Sequence, residues 1–308
     1  MPHAEVDAQS HVVRSTLNYF LDPAKGGYKD FWFGTVGEKR RPFEYVEVPI
    51  TDIRGSEDEF HLDKQGFQHV REPATEKEFV DLETIKNVYY PECAELVKRM
   101  TGASRVHVMG HVCRRQSWDE FRERTKEMED MDRTPVPTTA RYIHVDYSYD
   151  GARTRLDFYL PREAEKLSKT RWAIINLWRP IGNTVTRENL TMCDARSVDD
   201  SELRPVIARF RRPGDEENLN PVTRAAYNRN DVETWSVAPP SRKDQHKWYY
   251  CSKLEPEEAL LIKIYDSKKT GVARRTLHTA FVCDEDYGPP RESVEVRTLV
   301  FWEDQDNE

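Results

Sequence analysis

Cysteine is scarce in this chain and poorly placed for any framework. The five residues Cys93, Cys113, Cys193, Cys251 and Cys283 are odd in number, widely separated and free of any C-x-x-C pair. A disulfide scaffold and a zinc ribbon both need clustered, paired thiols, so neither is supported. Long apolar runs are missing too. Nothing approaches the roughly 20 apolar residues that a membrane-spanning helix requires, and the opening MPHAEVDAQSHVV has no apolar core of a secretory signal. Positive charge is not in excess either: the formal net charge is −8. The short basic clusters Arg114-Arg115 and Arg209-Phe-Arg-Arg212 have acidic residues close by and read as solvated surface, not as a phosphate-binding footprint. These absences lead to the expectation of a cytoplasmic protein with reduced thiols, without nucleic acid or membrane as a partner. Oligomeric state is not legible.

What the chain does contain is material for a large core. Hydrophobic residues make up 37% of its 308 residues, with seven Trp and fourteen Tyr. Short β-like runs at 16–20 and 45–50 are punctuated by Gly, Pro and Asp. Residues 76–99 have helical spacing, interrupted by Pro91, which predicts a kink or a break. A strand at 105–109 precedes a highly charged stretch, 114–133, read as an exposed helix or a loop. The second half is richer in strands, expected at 141–147, 171–178, 248–251, 259–265, 274–283 and 293–302, with 161–168 the clearest intervening helix. Strands without regular βα alternation favour a mainly β architecture with flanking helices, a double-stranded β-helix barrel of the jelly-roll, cupin-like type. Residues 1–308 read as one domain, with 1–139 flanking and a barrel core over 140–308. The polar stretch 197–242 looks like an insertion between barrel strands.

The chemistry concentrates in three places. His144-Val-Asp146 offers an imidazole and a carboxylate from the same face of an extended segment, because alternate side chains project together. The structural reading of that pair is an imidazole bonded to backbone and an Asp opening a turn; H-x-D alone does not decide. His278 lies 134 residues downstream on another expected strand. Two His and one carboxylate form the facial triad that holds non-haem Fe(II) with positions left open. Beyond it, Arg291 and Ser293 fall two residues apart, and a guanidinium with a hydroxyl can together bind a carboxylate. That pairing is the socket that 2-oxoglutarate needs for the end remote from the metal. Arg297 shares the same face, either as a further cosubstrate contact or as the partner of a neighbouring carboxylate.

The chain resembles the fungal asaB/CmcJ-type hydroxylase/desaturase family, to which gibberellin desaturases and cephem methoxylase-type proteins are compared. The resemblance runs almost end to end, through Leu17-Asn-Tyr-Phe20, Gly37-Glu-Lys-Arg-Arg-Pro42, Tyr90-Pro-Glu92 and Thr101-Gly-Ala-Ser-Arg-Val106. It continues through His144-Val-Asp-Tyr147, Asn176-Leu-Trp-Arg-Pro-Ile181, Cys193-Asp-Ala-Arg-Ser197, His278-Thr-Ala-Phe281 and Arg291-Glu-Ser-Val-Glu-Val-Arg297. It implies Fe(II), 2-oxoglutarate and O2 as cofactors, a jelly-roll barrel, and oxidation of a small secondary metabolite by hydroxylation, desaturation or oxidative cyclisation. Gly110 departs from the family pattern, which has an acidic residue just before His111.

Trp178 and Arg179 close an apolar strand and are candidates for the substrate pocket. A buried Arg179 needs an anionic partner, which a substrate carboxylate or an internal Asp194 or Asp266 could supply. His107 and His111 are four apart without the Glu of a zincin motif and read as packed or exposed imidazoles rather than ligands. Two other functions use the same residues: a cupin-like metalloprotein without 2-oxoglutarate, for which Arg291 is dispensable, and a non-catalytic small-molecule-binding barrel.

Overall fold

A computed structural model describes residues 11–134, 136–211 and 231–307. Its strands run β1 (Val12–Tyr19), β2 (Asp30–Trp32), β3 (Glu44–Asp52), β4 (Phe67–Arg71), β5 (Arg105–Arg114), β6 (Thr170–Pro180) and β7 (Leu190–Cys193). They continue as β8 (Leu203–Arg209), β9 (Val232–Val237), β10 (Trp248–Tyr250), β11 (Glu258–Asp266), β12 (His278–Ala280) and β13 (Ser293–Asp306). The helices are α1 (Val36–Arg40), α2 (Leu82–Thr84), α3 (Tyr90–Thr101), α4 (Trp118–Thr125), α5 (Tyr149–Tyr159) and α6 (Ala164–Leu167).

Two five-stranded sheets dominate, ordered β1-β3-β10-β7-β12 and β4-β11-β6-β13-β5, and a three-stranded sheet, β2-β8-β9, stands beside them. Every pairing in the second sheet is antiparallel. Its two faces are sorted by residue parity, as a pleated strand demands. Trp172, Ile174, Trp178, Leu299 and Phe301 face the first sheet and fill the central core. Ala173, Ile175, Leu177, Val294 and Val296 face outward, where Tyr89, Cys93, Leu96 and Val97 cover them. Burial on both faces explains why β6 and β13 read as near-continuous apolar sequence rather than as alternation.

Several expectations need correction. The helix expected over 76–99 begins at α2, passes through a π-turn at Ile85–Tyr89 and continues as α3, so the break falls just before Pro91, near the start of α3. The charged stretch 114–133 holds α4, whose Ser117 and Glu120 form a reciprocal capping box. Helix α5 follows the H-x-D segment directly and was not foreseen, because Gly151 and four charged residues mask its periodicity. The strand expected at 274–283 shrinks to β12, and 141–147 is extended chain held by isolated bridges. The stretch 197–242 is not a plain insertion loop: β8 and β9 occupy its described ends, while residues 212–230, including Arg212, lie outside the described residues. Strands β1, β3, β4 and β5 are integral to the two large sheets, so the division at residue 139/140 does not separate flank from core. Among the described residues no helix is long and apolar enough to cross a membrane, and the five cysteines form no disulfide.

Candidate metal centre and carboxylate socket

The H-x-D segment is an extended strap pinned on both sides. His144 N–H donates to His278 C=O at 3.2 Å, and His278 N–H donates back to His144 C=O at 3.0 Å. Val145 N–H donates to Trp235 C=O at 2.8 Å. Alternation therefore survives without a regular strand, and His144 and Asp146 still project together. Ser148, fully buried, ends the strap by accepting Gly151 N–H at 2.9 Å and starts α5.

Each imidazole is locked in one tautomer. His144 Nδ1 lies 2.9 Å from Tyr142 C=O and His278 Nδ1 lies 3.1 Å from Thr276 C=O, so each Nδ1–H donates and each Nε2 keeps its lone pair. Both lone pairs meet Asp146, whose Oδ1 is 3.4 Å from His144 Nε2 and 3.7 Å from His278 Nε2. The three ligand atoms all lie within 4.8 Å of one another. Buried His278 Nε2 has no hydrogen-bond partner, a costly vacancy unless a cation fills it. The other Asp146 oxygen, Oδ2, accepts Asn176 Nδ2 at 3.0 Å and Arg297 Nε at 2.9 Å. One oxygen is thus anchored and the other is free to ligate.

The electrostatics suit a divalent ion. Burial works to raise the Asp146 carboxyl, but the Arg297 guanidinium and the two imidazoles hold it well below the carboxylate range. Burial, reinforced by His278, lowers the His144 pKa and keeps that ring neutral. Burial works to lower His278 too, yet Asp146 beside it raises its pKa. A metal ion at His278 Nε2 would compete with a proton for that lone pair, so metal binding there is linked to pH.

Arg291 and Ser293 sit at the start of β13, facing inward. Arg291 is 5% exposed, donates Nη1–H to Glu188 C=O at 2.6 Å, and places its guanidinium 5.3 Å from the Trp178 ring centroid. Its Nε and the buried Ser293 Oγ have no partner. Burial lowers its pKa to about 10, against the opposing pull of Glu188. A buried guanidinium and hydroxyl left open side by side fit one end of a dicarboxylate. Glu295 acts on both Arg291 and His278, so the socket and the triad share a neighbour.

The remaining candidates divide. Arg297 is engaged by Asp146 and by Glu295, whose Oε1 is 2.8 Å from Nη2, so its partners are carboxylates of the chain itself. Trp178 lies under Arg291 and does not line the cavity that opens beside His144 and Asp146. Arg179 points the opposite way, as parity requires, and binds Tyr89 Oη, Glu72 C=O and Pro256 C=O beneath α3. It is corrected from pocket residue to a strut of the outer layer. Neither proposed partner holds it: Asp194 pairs with Arg196, and Asp266 with Arg171 and Lys263. His111 meets Tyr90 Oη at 2.7 Å and borders the cavity beside the triad, and His107 packs near Tyr159; neither belongs to the ligand cluster.

A cavity of about 200 Å³ opens beside His144, Asp146 and Arg297. Phe31, Phe33, Tyr142, Tyr147 and Phe210 contribute to its wall, with Lys39 and Arg114 among them. Sequence reasoning missed Asn176, although an amide in the middle of the apolar Ala173-Ile-Ile-Asn-Leu-Trp178 run was a signal of a buried partner. It also read Arg114 as surface, because nothing local shows that β5 turns this residue inward.

Residues 17–301 match the family described as Oxidoreductase/YMDC permease-like domain. The chain is 45% identical to the hydroxylase/desaturase CTB9 of Cercospora beticola over 294 residues, covering 95% of this chain and 87% of that protein. It is 30% identical to the alpha-ketoglutarate-dependent dioxygenase phiK of a fungal species, covering 97% and 99% of the two chains. Among solved structures it is similar to the iron and alpha-ketoglutarate-dependent endoperoxidase NvfI, with a TM-score of 0.71 at 22% identity, covering 94% and 97%. At that identity the last likeness bears on the fold: the two chains share a jelly-roll architecture.

Proposed function

The chain belongs to the fungal hydroxylase/desaturase family and is an Fe(II)/2-oxoglutarate-dependent dioxygenase of a small secondary metabolite, and from that premise we propose that His144, Asp146 and His278 hold its iron. Arg291 and Ser293 take the far carboxylate of 2-oxoglutarate, with Trp178 stacked under the guanidinium. The observation that carries the ligand assignment is the pair of Nδ1–H bonds to backbone, which turn two imidazole lone pairs onto one free carboxylate oxygen.

When bound, iron and 2-oxoglutarate together supply with O2 the power to break an unactivated C–H bond. The chain's own residues do the rest. Asn176 and Arg297 fix the plane of Asp146 and keep it ionised, so that a full negative charge faces the metal. Tyr142 and Thr276 carbonyls hold the rings neutral at Nε2 and in line. Arg291 and Ser293 orient the cosubstrate by its remote end, and the aromatic wall of the cavity excludes water from the reacting face. Whether hydroxylation, desaturation or oxidative cyclisation follows depends on which carbon the wall presents.

We further read the chain as one domain and, from its reduced, scattered thiols, as cytoplasmic. The assignment of the site is tested by anaerobic titration of the iron-loaded protein with 2-oxoglutarate, followed through its weak visible charge-transfer band. Arg291→Ala is expected to shift the titration about 10- to 100-fold, the value of a hydrogen bond to a charged group. His278→Ala is expected to abolish the band. An unaltered titration in Arg291→Ala would remove 2-oxoglutarate from this socket and favour a cupin-like site that works without it.

A further inference from the structure

The wall of the cavity beside the triad carries more positive than negative charge. Lys39, with its side chain 9% exposed, places Nζ 2.9 Å from Glu38 Oε1. That carboxylate is already occupied, since Oε1 also accepts the Tyr142 hydroxyl at 2.9 Å and Oε2 accepts Gly34 N–H at 2.7 Å. Arg114 donates Nη1–H to the Thr138 carbonyl at 2.8 Å, a neutral partner, and makes no ion pair among the described residues. Arg41 stands behind the same tyrosine, 4.1 Å from the Phe31 ring and 4.7 Å from the Tyr142 ring, and donates Nε–H to the Glu38 carbonyl. Lys39 and Arg41 therefore flank one carboxylate, and Arg114 shares the mostly aromatic cavity wall with Lys39. Burial lowers the Lys39 pKa, Glu38 opposes this, and Arg114 is near enough to lower it further. An imbalance of this kind is expensive in an apolar surround unless an anion completes it.

We propose that Lys39 and Arg114 form a carboxylate subsite, so that the metabolite oxidised by this enzyme is an organic acid with an apolar body. The inference rests on the dioxygenase reading above and names the class of substrate for that site. A carboxylate has one oxygen for each cation and is ionised at neutral pH without help. The subsite is close to the chemistry, because the Tyr142 ring, over which Lys39 Nζ stands at 5.3 Å, has its centroid 4.9 Å from that of His144. Arg291 and Ser293 do not line this cavity, although Ser293 is the cross-strand partner of Arg114, so the two carboxylate sites are neighbours that the test must tell apart.

The test uses the full chain without metal and two flat probes of equal shape, 1-naphthoate and 1-naphthamide, measured by calorimetry. Wild type is expected to bind the acid about tenfold or more tightly than the amide, as charge-assisted hydrogen bonds dictate. Arg114→Leu and Lys39→Met should each erase most of that preference, Arg114→Lys should keep part of it, and Arg291→Ala should leave it intact. Melting curves establish that each variant is folded. Equal binding of the two probes by wild type overturns the proposal. So does loss of naphthoate binding in Arg291→Ala with retention in Arg114→Leu, which would put the acid in the cosubstrate socket. A third overturning result is an Arg114→Leu variant whose 2-oxoglutarate affinity falls while naphthoate affinity holds. The dioxygenase site itself fails by a different readout, an Arg291→Ala protein that still binds 2-oxoglutarate normally.

Discussion

Asp146 uses its two oxygens for different purposes, and the division depends on residues remote in sequence. Oδ2 is tied to Asn176 on β6 and Arg297 on β13, which are direct neighbours in the sheet. Oδ1 is thereby aimed at the imidazoles. Replacing Asn176 by Ala, or Arg297 by Met, should weaken Fe(II) binding about 10- to 100-fold without touching a ligand, the usual effect of losing a group that orients a ligand. Competition with a chromophoric chelator measures this; an unchanged affinity in both variants would show that Asp146 needs no support. Arg297→Lys should restore little, because a point charge cannot reproduce the directed Nε–H bond. His144, Asp146 and His278 were readable as residue types in sequence. Asn176 was not given a role, since an amide has no motif, and its partner lies 30 positions away in sequence.

Among the elements, the short turn before β4 controls the aim of His278. Gly66 has φ +93°, and a Cβ there would stand 2.0 Å from Thr276 Oγ1. That hydroxyl donates to Gly66 C=O at 2.6 Å, and the carbonyl of the same Thr276 holds His278 Nδ1–H. Gly66→Ala should cost about 1–3 kcal/mol through overpacking and should weaken iron binding as well. Gly55→Ala is the control: φ is +91° but the added Cβ meets nothing within 4 Å, so melting should fall slightly with iron affinity unchanged. Equal metal affinity in both variants would uncouple the turn from the site. Helix α5 has a similar constraint. A Cβ on Gly151 would approach Glu233 C=O on β9 to 2.0 Å, so Gly151→Ala should lower the melting temperature by displacing α5 from the strap. Neither contact is visible from local sequence, where both glycines look like ordinary turn or helix-weakening positions.

On the scale of the whole molecule, buried carboxylates link stability to acid. Burial works to raise the Glu38 carboxyl, but Lys39 and the Gly34 N–H hold it at about 2, below its ordinary 4.5. The folded pKa is the lower one, so this stabilisation is present above pH 4.5 and is lost as pH falls from there toward 2. Its full size is on the order of 3 kcal/mol. Glu38→Gln should therefore be less stable than wild type at pH 7 and should show a shallower decline between pH 4.5 and 2, as denaturant melts at each pH would record. Parallel slopes would remove Glu38 from the acid response. Iron is linked to folding in the same way: a chelator should lower the melting temperature of loaded protein by an amount that grows with the logarithm of iron concentration.

The amino-acid sequence by itself determined the class of fold, the three ligand-type residues and the Arg-x-Ser pair. Each of these is a local pattern: short apolar runs without regular βα alternation, two side chains on one face of an extended segment, a guanidinium two residues from a hydroxyl. Tertiary structure decided everything that depends on which face of a strand is buried and what lies across from it. It sent Arg179 outward and Trp178 inward, gave Arg297 to Asp146, and turned Arg114 from apparent surface into the wall of the cavity. Parity along a strand can be read from sequence, but β6 and β13 are buried on both sides, and their apolar runs do not say which side faces the metal.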